Sequence, residues 1–233
     1  MKRVLRAWHS GGLRKAAGVV LDRILDGIAD GRLGIATRGL VRVESLVADY
    51  TDCHDYFPTS WRAFRRLMAE VPVEAGHDVF VDYGAGKGRA VLMAAEYPFR
   101  AILGVELSPA LVSLARRNVA ACRGRLRCRQ IGFWTGSAEQ FPVPPEATVL
   151  YFYNPFHGAV LRAVLDAIDR SRRDHPRRIS LVFNNPVHFE KIAADYAWLV
   201  PRRRFEFEHT CVIYEATPAA TAVRLTHEGG CLT

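Results

Sequence analysis

Nowhere does this 233-residue sequence reach the roughly 20 uninterrupted apolar residues of a helical membrane span. The opening "MKRVLRAWHSGG" is broken by Arg6 before the apolar core of a secretory signal can form, so the expected address is cytoplasmic. Cysteine is also scarce. Cys53, Cys122, Cys128, Cys211 and Cys231 are odd in number and include no CxxC pair, which points to neither a disulfide framework nor a zinc site. His54 stands between Cys53 and Asp55, but three consecutive side chains do not readily face one ion. That stretch is expected to be loop, with no metal. Internal repeats and low-complexity tracts are missing too, which removes the solenoid and fibrous classes.

The composition that is present, 49% hydrophobic and 24% charged, is that of a folding globular chain. The length fits one sizeable domain with an appendage better than two full domains. A formal charge of +8 would suit an anionic partner such as nucleic acid. The arginines gather at Arg123, Arg125, Arg127 and Arg129, at Arg172, Arg173, Arg177 and Arg178, and at Arg202 to Arg204. No recognition helix, zinc finger or RNA-recognition motif accompanies them. They read as solvated charge near element ends, and nucleic acid is the less favoured partner.

Along residues 13–28, Leu13, Ala17, Val20, Leu21, Ile24, Leu25 and Ile28 recur at helical spacing, with Arg14, Lys15, Asp22, Arg23 and Asp26 on the other side. The apolar face is expected to pack on the chain's own domain as a lid or cap, with a peripheral membrane role as the alternative. A second helix is expected over 60–70, with Trp61, Phe64, Leu67 and Met68 as its buried stripe. Strands are then expected at 79–83, 101–106, 126–131, 148–153 and 178–183, and helices at 87–96, 109–120, 158–171 and 187–196. A final pair of strands is expected around 205–215. The early strands are continuous apolar runs, as in parallel strands covered on both faces by helices.

The expected fold is therefore α/β: a doubly wound, mostly parallel seven-stranded sheet with an antiparallel C-terminal edge hairpin, plus an N-terminal helical cap. The corresponding organisation is a cap segment over 1–55, a ligand-binding domain over 56–216 and a C-terminal tail over 217–233.

The most informative stretch is "FVDYGAGKGRAV", where a strand ends in Gly84, Gly86 and Gly88 and opens a helix. Such a turn lets backbone approach a ligand without a Cβ in the way. A dinucleotide fingerprint beginning at Gly84 would need a small residue at position 89, and Arg89 stands there, which argues against a nicotinamide oxidoreductase. S-adenosyl-L-methionine carries an α-ammonium and no phosphate, so Asp82 on the first strand suits it. Glu106 closes the second strand in "GVELS", about twenty residues beyond the turn, where a carboxylate can accept both ribose hydroxyls. Leu107 would lie against the adenine.

Residues 79–107 resemble the first two motifs of the class I SAM-dependent methyltransferases, and the resemblance extends over about 56–215. It implies that Ser137 and Ala138 of "TGSAEQF" read the adenine edge, although Ser137 stands where the family usually has an acid. It also implies that Tyr56 and Thr59 of "YFPT" fold over the methionine end of the cofactor, as in a subgroup with a similar Tyr-x-Pro-Thr/Ser segment. The fourth strand ends in "YFYNPFHG", similar to the Asn/Asp-Pro-Pro-aromatic motif of amino methyltransferases with its second proline absent. Asn154, Pro155 and Phe156 are thereby implicated in chemistry, as nitrogen acceptor, backbone brace and stacking ring, and the neighbouring His157 as a proton acceptor.

The set is similar to largely uncharacterised bacterial methyltransferases and, distantly, to non-SET protein lysine methyltransferases. It implies N-methylation of a protein side chain or a small-molecule amine. The competing reading is a SAM-binding or nucleic-acid-associated module without turnover.

Overall fold

The computed structural model describes residues 2–41, 57–187 and 189–217, with 2–16 and Val19 described through their backbone alone. Tyr56, the 53–55 cluster and positions 218–233 of the expected tail lie outside the described residues.

Five apolar runs form parallel strands: β1 (Val79–Tyr83), β2 (Ala101–Glu106), β3 (Ile131–Thr135), β4 (Ala147–Phe152) and β5 (Ser180–Asn184). β6 (Leu199–Glu206) and β7 (Thr210–Ala216) close the chain, with β7 antiparallel to both β5 and β6, and the sheet order is β3-β2-β1-β4-β5-β7-β6. The order reverses between β1 and β4, so the crevice of the doubly wound sheet opens at the carboxyl ends of those two strands.

The pleat sends alternate side chains to opposite layers. Phe80, Tyr151 and Val182 join one core with α2 (Trp61–Met68) and α3 (Arg89–Ala94). Tyr83, Phe152 and Phe183 join the other, with α5 (Gly158–Asp174) and α6 (Phe189–Ala193). Tyr83, Phe152 and Phe183 stack face to face across three strands, with centroid distances of 4.8 and 4.5 Å.

Capping fixes where helices begin. Ser60 Oγ accepts from Ala63 N at 3.1 Å at the start of α2. Ser108 does the same for Leu111 N ahead of α4 (Pro109–Cys122), whose first residue is proline. Each cap is worth about 1 kcal/mol.

Three expectations are corrected. The third strand is Ile131–Thr135, not 126–131: the N–H groups of Arg127 and Cys128 both donate to the Ala95 carbonyl, leaving that stretch outside the ladder. The first strand of the terminal pair begins at Leu199, and Phe207 falls in its turn, donating its N–H to His209 O.

The third correction concerns α1 (Lys2–Leu33), which turns its aliphatic side outward. Val20, Leu21, Ile24, Leu25 and Ile28 are between 37% and 55% exposed, while Asp22 and Asp30 are 6% and 3% exposed. Asp22, Asp26 and Asp30 are four residues apart and share one face. Arg62 pairs with Asp22 at 2.7 Å, and Arg89 pairs with Asp26 at 2.7 Å and Asp30 at 2.8 Å. A buried guanidinium without a counter-charge costs several kcal/mol, comparable with the total for leaving five aliphatic side chains half in water. The face that docks is the one whose aspartates pair with Arg62 and Arg89.

Candidate functional site

A cavity opens at the carboxyl ends of β1, β2 and β4. Its walls include Thr59, Asp82, Gly84, Glu106, Leu107, Ser137, Ala138, Pro155 and Phe156, so nine sequence-predicted site residues meet in one space. Gly86, Gly88, Asn154 and His157 lie beside it and do not line it.

The turn after β1 requires its glycines. Gly84 has φ +80°, and a methyl group there would fall 2.5 Å from Pro155 Cβ. Gly88 also has φ +80°, and its missing Cβ lets α3 approach Ala115 of α4, which a Cβ would meet at 2.9 Å. The first glycine allows the turn to touch the loop after β4, and the last allows two helices to close behind it.

Glu106 ends β2 with both carboxylate oxygens anchored: Oε2 accepts from Gly86 N at 2.8 Å and Oε1 from Ser108 N at 2.9 Å. Burial raises its pKa, and these backbone donors oppose the rise. Asp82 is 3% exposed, and burial, followed by the nearby Glu106 charge, pushes its carboxyl up to about 8. A carboxyl whose pKa burial raises thus faces the cavity.

After β4 the chain turns sharply. Asn154 takes the left-handed conformation at φ +43°, which asparagine tolerates better than most side chains. Phe156 is 6% exposed and packs edge-on against Tyr83 and Phe152, so its ring is both core and cavity wall. His157 is the residue from which α5 starts.

No protein-family model matches the chain, and no curated protein matches it by sequence. Solved structures do match in fold. TrmN from Thermus thermophilus aligns with 18% identity and a TM-score of 0.52, over 69% of this chain and 49% of its own, so the chain spans about half of that protein. A precorrin-6y C5,15-methyltransferase from Geobacter metallireducens GS-15 aligns with 16% identity and a TM-score of 0.51, over 77% and 94%. A geranyl diphosphate C-methyltransferase from Streptomyces coelicolor A3(2), in complex with S-adenosyl-L-homocysteine, aligns with 15% identity and a TM-score of 0.50, over 68% and 79%.

The chain has the class I SAM-dependent methyltransferase fold.

Within that Rossmann-like methyltransferase fold the cavity has walls that the sequence did not reveal. Arg89 lines it with its side chain 1% exposed, donating to Thr37 Oγ1 at 2.6 Å and Thr59 O at 3.3 Å besides its two aspartates. Position 89 was legible only as an obstacle to a dinucleotide; its partners lie 30 to 63 residues away. Tyr151 also lines it, with its hydroxyl 2.9 Å from Thr59 Oγ1 and accepting from Asn184 Nδ2 at 3.3 Å. Tyr151 reads in sequence as one more apolar strand residue, so nothing marked it.

The methyltransferase fold also absorbs two of the arginine clusters. Arg172 pairs with Asp169, Arg178 with Asp78, Arg202 with Glu215, Arg203 with Glu70 and Arg204 with Glu190. Arg177 donates to the carbonyls of Ala147, Pro144, Ser171 and His175. Arg123, Arg125, Arg127 and Arg129 remain exposed.

Proposed function

We propose that the chain binds S-adenosyl-L-methionine and transfers its methyl group to an amine nitrogen of a protein side chain or small molecule. The observation that carries this reading is the meeting, in one cavity, of a glycine turn, a buried Asp82, the strand-ending Glu106 and the Pro155–Phe156 turn. The geranyl diphosphate C-methyltransferase of similar fold, in complex with S-adenosyl-L-homocysteine, supports the choice of cofactor. When bound, the cofactor supplies an electrophilic methyl on a sulfonium, transferred by in-line displacement whose rate rests largely on alignment.

The residues divide the work. Asp82 faces the α-ammonium; Gly84 carries the turn along the cavity wall, while Gly86 and Gly88, assigned to the cofactor from the sequence, act from behind it, Gly86 by holding Glu106 and Gly88 by admitting Ala115. Glu106, already fixed by Gly86 and Ser108, accepts from the ribose hydroxyls with its remaining lone pairs. Leu107 covers the adenine, and Ser137 and Ala138 meet its edge. Thr59 stands over the methionine end; Tyr56 is assigned beside it from the sequence resemblance. Pro155 holds the turn and Phe156 stacks on the acceptor, while Asn154 and His157, which stand beside the cavity rather than in its wall, are assigned, from the sequence resemblance, the hydrogen bond to the attacking nitrogen and the receipt of its proton. The nitrogen acceptor rests on the Asn-Pro-Phe resemblance.

Calorimetric titration with S-adenosyl-L-homocysteine tests the cofactor half. The parent chain is expected to bind and Glu106→Ala to bind at least about tenfold more weakly, having lost a charged acceptor. A parent chain that does not bind overturns the reading.

The exposed Arg123–Arg129 patch favours one second reading, a nucleic-acid-associated module without turnover. Affinity for generic RNA that falls steeply with salt, together with no methyl transfer to any acceptor, would establish it instead.

A further inference from the structure

The aliphatic face of α1 is a feature the cavity does not use. Val20, Leu21, Ile24, Leu25 and Ile28 are each 37% to 55% exposed and follow one another at helical spacing, forming a continuous apolar stripe rather than scattered contacts. Val20, Ile24 and Ile28 share a shallow groove with Arg23, Gly27 and Arg38, and among the described residues no acidic side chain lines it. The Arg38 guanidinium lies directly over Gly27, where an added methyl would come 2.8 Å from its Nη1.

Over residues 1–41 basic residues outnumber acidic ones: Lys2, Arg3, Arg6, Arg14, Lys15, Arg23, Arg32 and Arg38 against Asp22, Asp26 and Asp30, with Glu44, Asp49, Asp52 and Asp55 following further along the chain. Asp22, Asp26 and Asp30 are turned inward onto Arg62 and Arg89. What remains outward is aliphatic surface edged by arginine.

We propose that α1 lies on an anionic lipid surface, with Val20, Leu21, Ile24, Leu25 and Ile28 entering the boundary between headgroups and acyl chains and Arg23 and Arg38 meeting lipid phosphates. An exposed aliphatic stripe with Arg23 and Arg38 beside it suits an interfacial position, where aliphatic side chains enter the acyl boundary and guanidinium groups meet phosphates. The helix lies on the membrane rather than spanning it: no described helix is long and apolar enough to cross, and the aspartate face is pinned to the domain. A second copy of the chain fits this face less well, because a two-fold contact would set Arg23 and Arg38 against their own counterparts with no carboxylate among the described groove residues. This inference is independent of the cofactor reading.

The test is flotation of the full chain with vesicles of phosphatidylcholine alone and of phosphatidylcholine mixed with phosphatidylglycerol. The parent should float with the mixed vesicles, far less with the neutral ones, and be released by high salt. Ile24→Ser/Ile28→Ser and Arg23→Ser/Arg38→Ser should each lower the bound fraction about tenfold. Thermal melting by circular dichroism should show both double variants folded like the parent, since the altered side chains are exposed. Three results overturn the proposal: a parent chain that stays unbound with both vesicle types, binding that ignores lipid charge, or binding unchanged in the isoleucine variant. Light scattering that finds a dimer which Ile24→Ser/Ile28→Ser dissolves would assign the face to a second copy and also overturn it.

Discussion

Gly84 and Pro155 are in contact across the mouth of the cavity: a methyl group on the glycine would sit 2.5 Å from the proline Cβ, with the glycine at φ +80°. The turn after β1 and the turn after β4, with Gly84 and Pro155 71 residues apart in sequence, are thereby locked in one geometry. Gly84→Ala should lower stability by about 2 kcal/mol, through left-handed strain of ~1–2 kcal/mol and the added overlap. Pro155→Gly removes the opposing Cβ. The double variant should therefore lose about 1 kcal/mol less than the sum of the singles in denaturant titrations. Additive losses would show that the two turns do not press on each other.

Asp82 sets a pH dependence whose sign follows from its burial. Its folded pKa of about 8 lies above the ordinary value of 3.8, so the unliganded protein holds a proton there that the unfolded chain releases. That stability is fully present below pH ~4 and is lost as pH rises through about 8. Asp82→Asn should be more stable than the parent at pH 8 and should lack this decline. An α-ammonium needs the ionised carboxylate, so S-adenosyl-L-homocysteine binding to the parent should weaken as pH falls from 8 to 6 and release a proton. Calorimetry in buffers of different ionisation enthalpy measures that proton. Binding that is flat with pH and releases none would remove Asp82 from contact with the ammonium.

The Arg89 cluster predicts a different pattern of loss. Its guanidinium is 1% exposed, and Asp26 and Asp30 are 13% and 4% exposed. Arg89→Met leaves two buried carboxylates without their cation and should cost about 3–5 kcal/mol. Burial already raises the pKa of Asp26, and loss of Arg89, the main opposing influence, raises it further. The variant should therefore regain stability as pH falls. Asp26→Asn/Asp30→Asn in the Arg89→Met background should restore part of the loss at neutral pH. A triple variant less stable than Arg89→Met alone would contradict the pairing argument.

Glu106 and Asn154 should separate binding from turnover. Glu106→Ala should weaken S-adenosyl-L-homocysteine binding at least about tenfold. Asn154→Gly keeps the φ +43° backbone without strain while deleting the amide, so binding should be nearly unchanged and kcat should fall about a hundredfold. Unchanged turnover would reduce Asn154 to a turn residue.

The sheet and nine of the cavity residues were legible because their signals are local: apolar runs for β1 and β4, glycines and an acid at fixed offsets for the turn. The third strand was misplaced because Leu126, Arg127, Cys128 and Arg129 alternate as a half-buried strand does. Their burial does alternate, with Cys128 at 3%, but their N–H groups turn to Ala95 instead of a neighbouring strand. The docking face of α1 was hidden for a different reason. A helical period specifies two faces without saying which is buried, and Arg89, the partner of the acidic face, lies 63 residues from Asp26. The Thr59–Tyr151 contact spans 92 residues, and no short pattern encodes it.

The most direct test of the central claim is transfer of labelled methyl from S-adenosyl-L-methionine into a host extract separated into protein, nucleic-acid and small-molecule fractions, with Asn154→Gly in parallel. The account predicts label in the protein or small-molecule fraction, at nitrogen, that the variant fails to produce. Label confined to nucleic acid, or no label in any fraction from a chain that binds the cofactor, would contradict it.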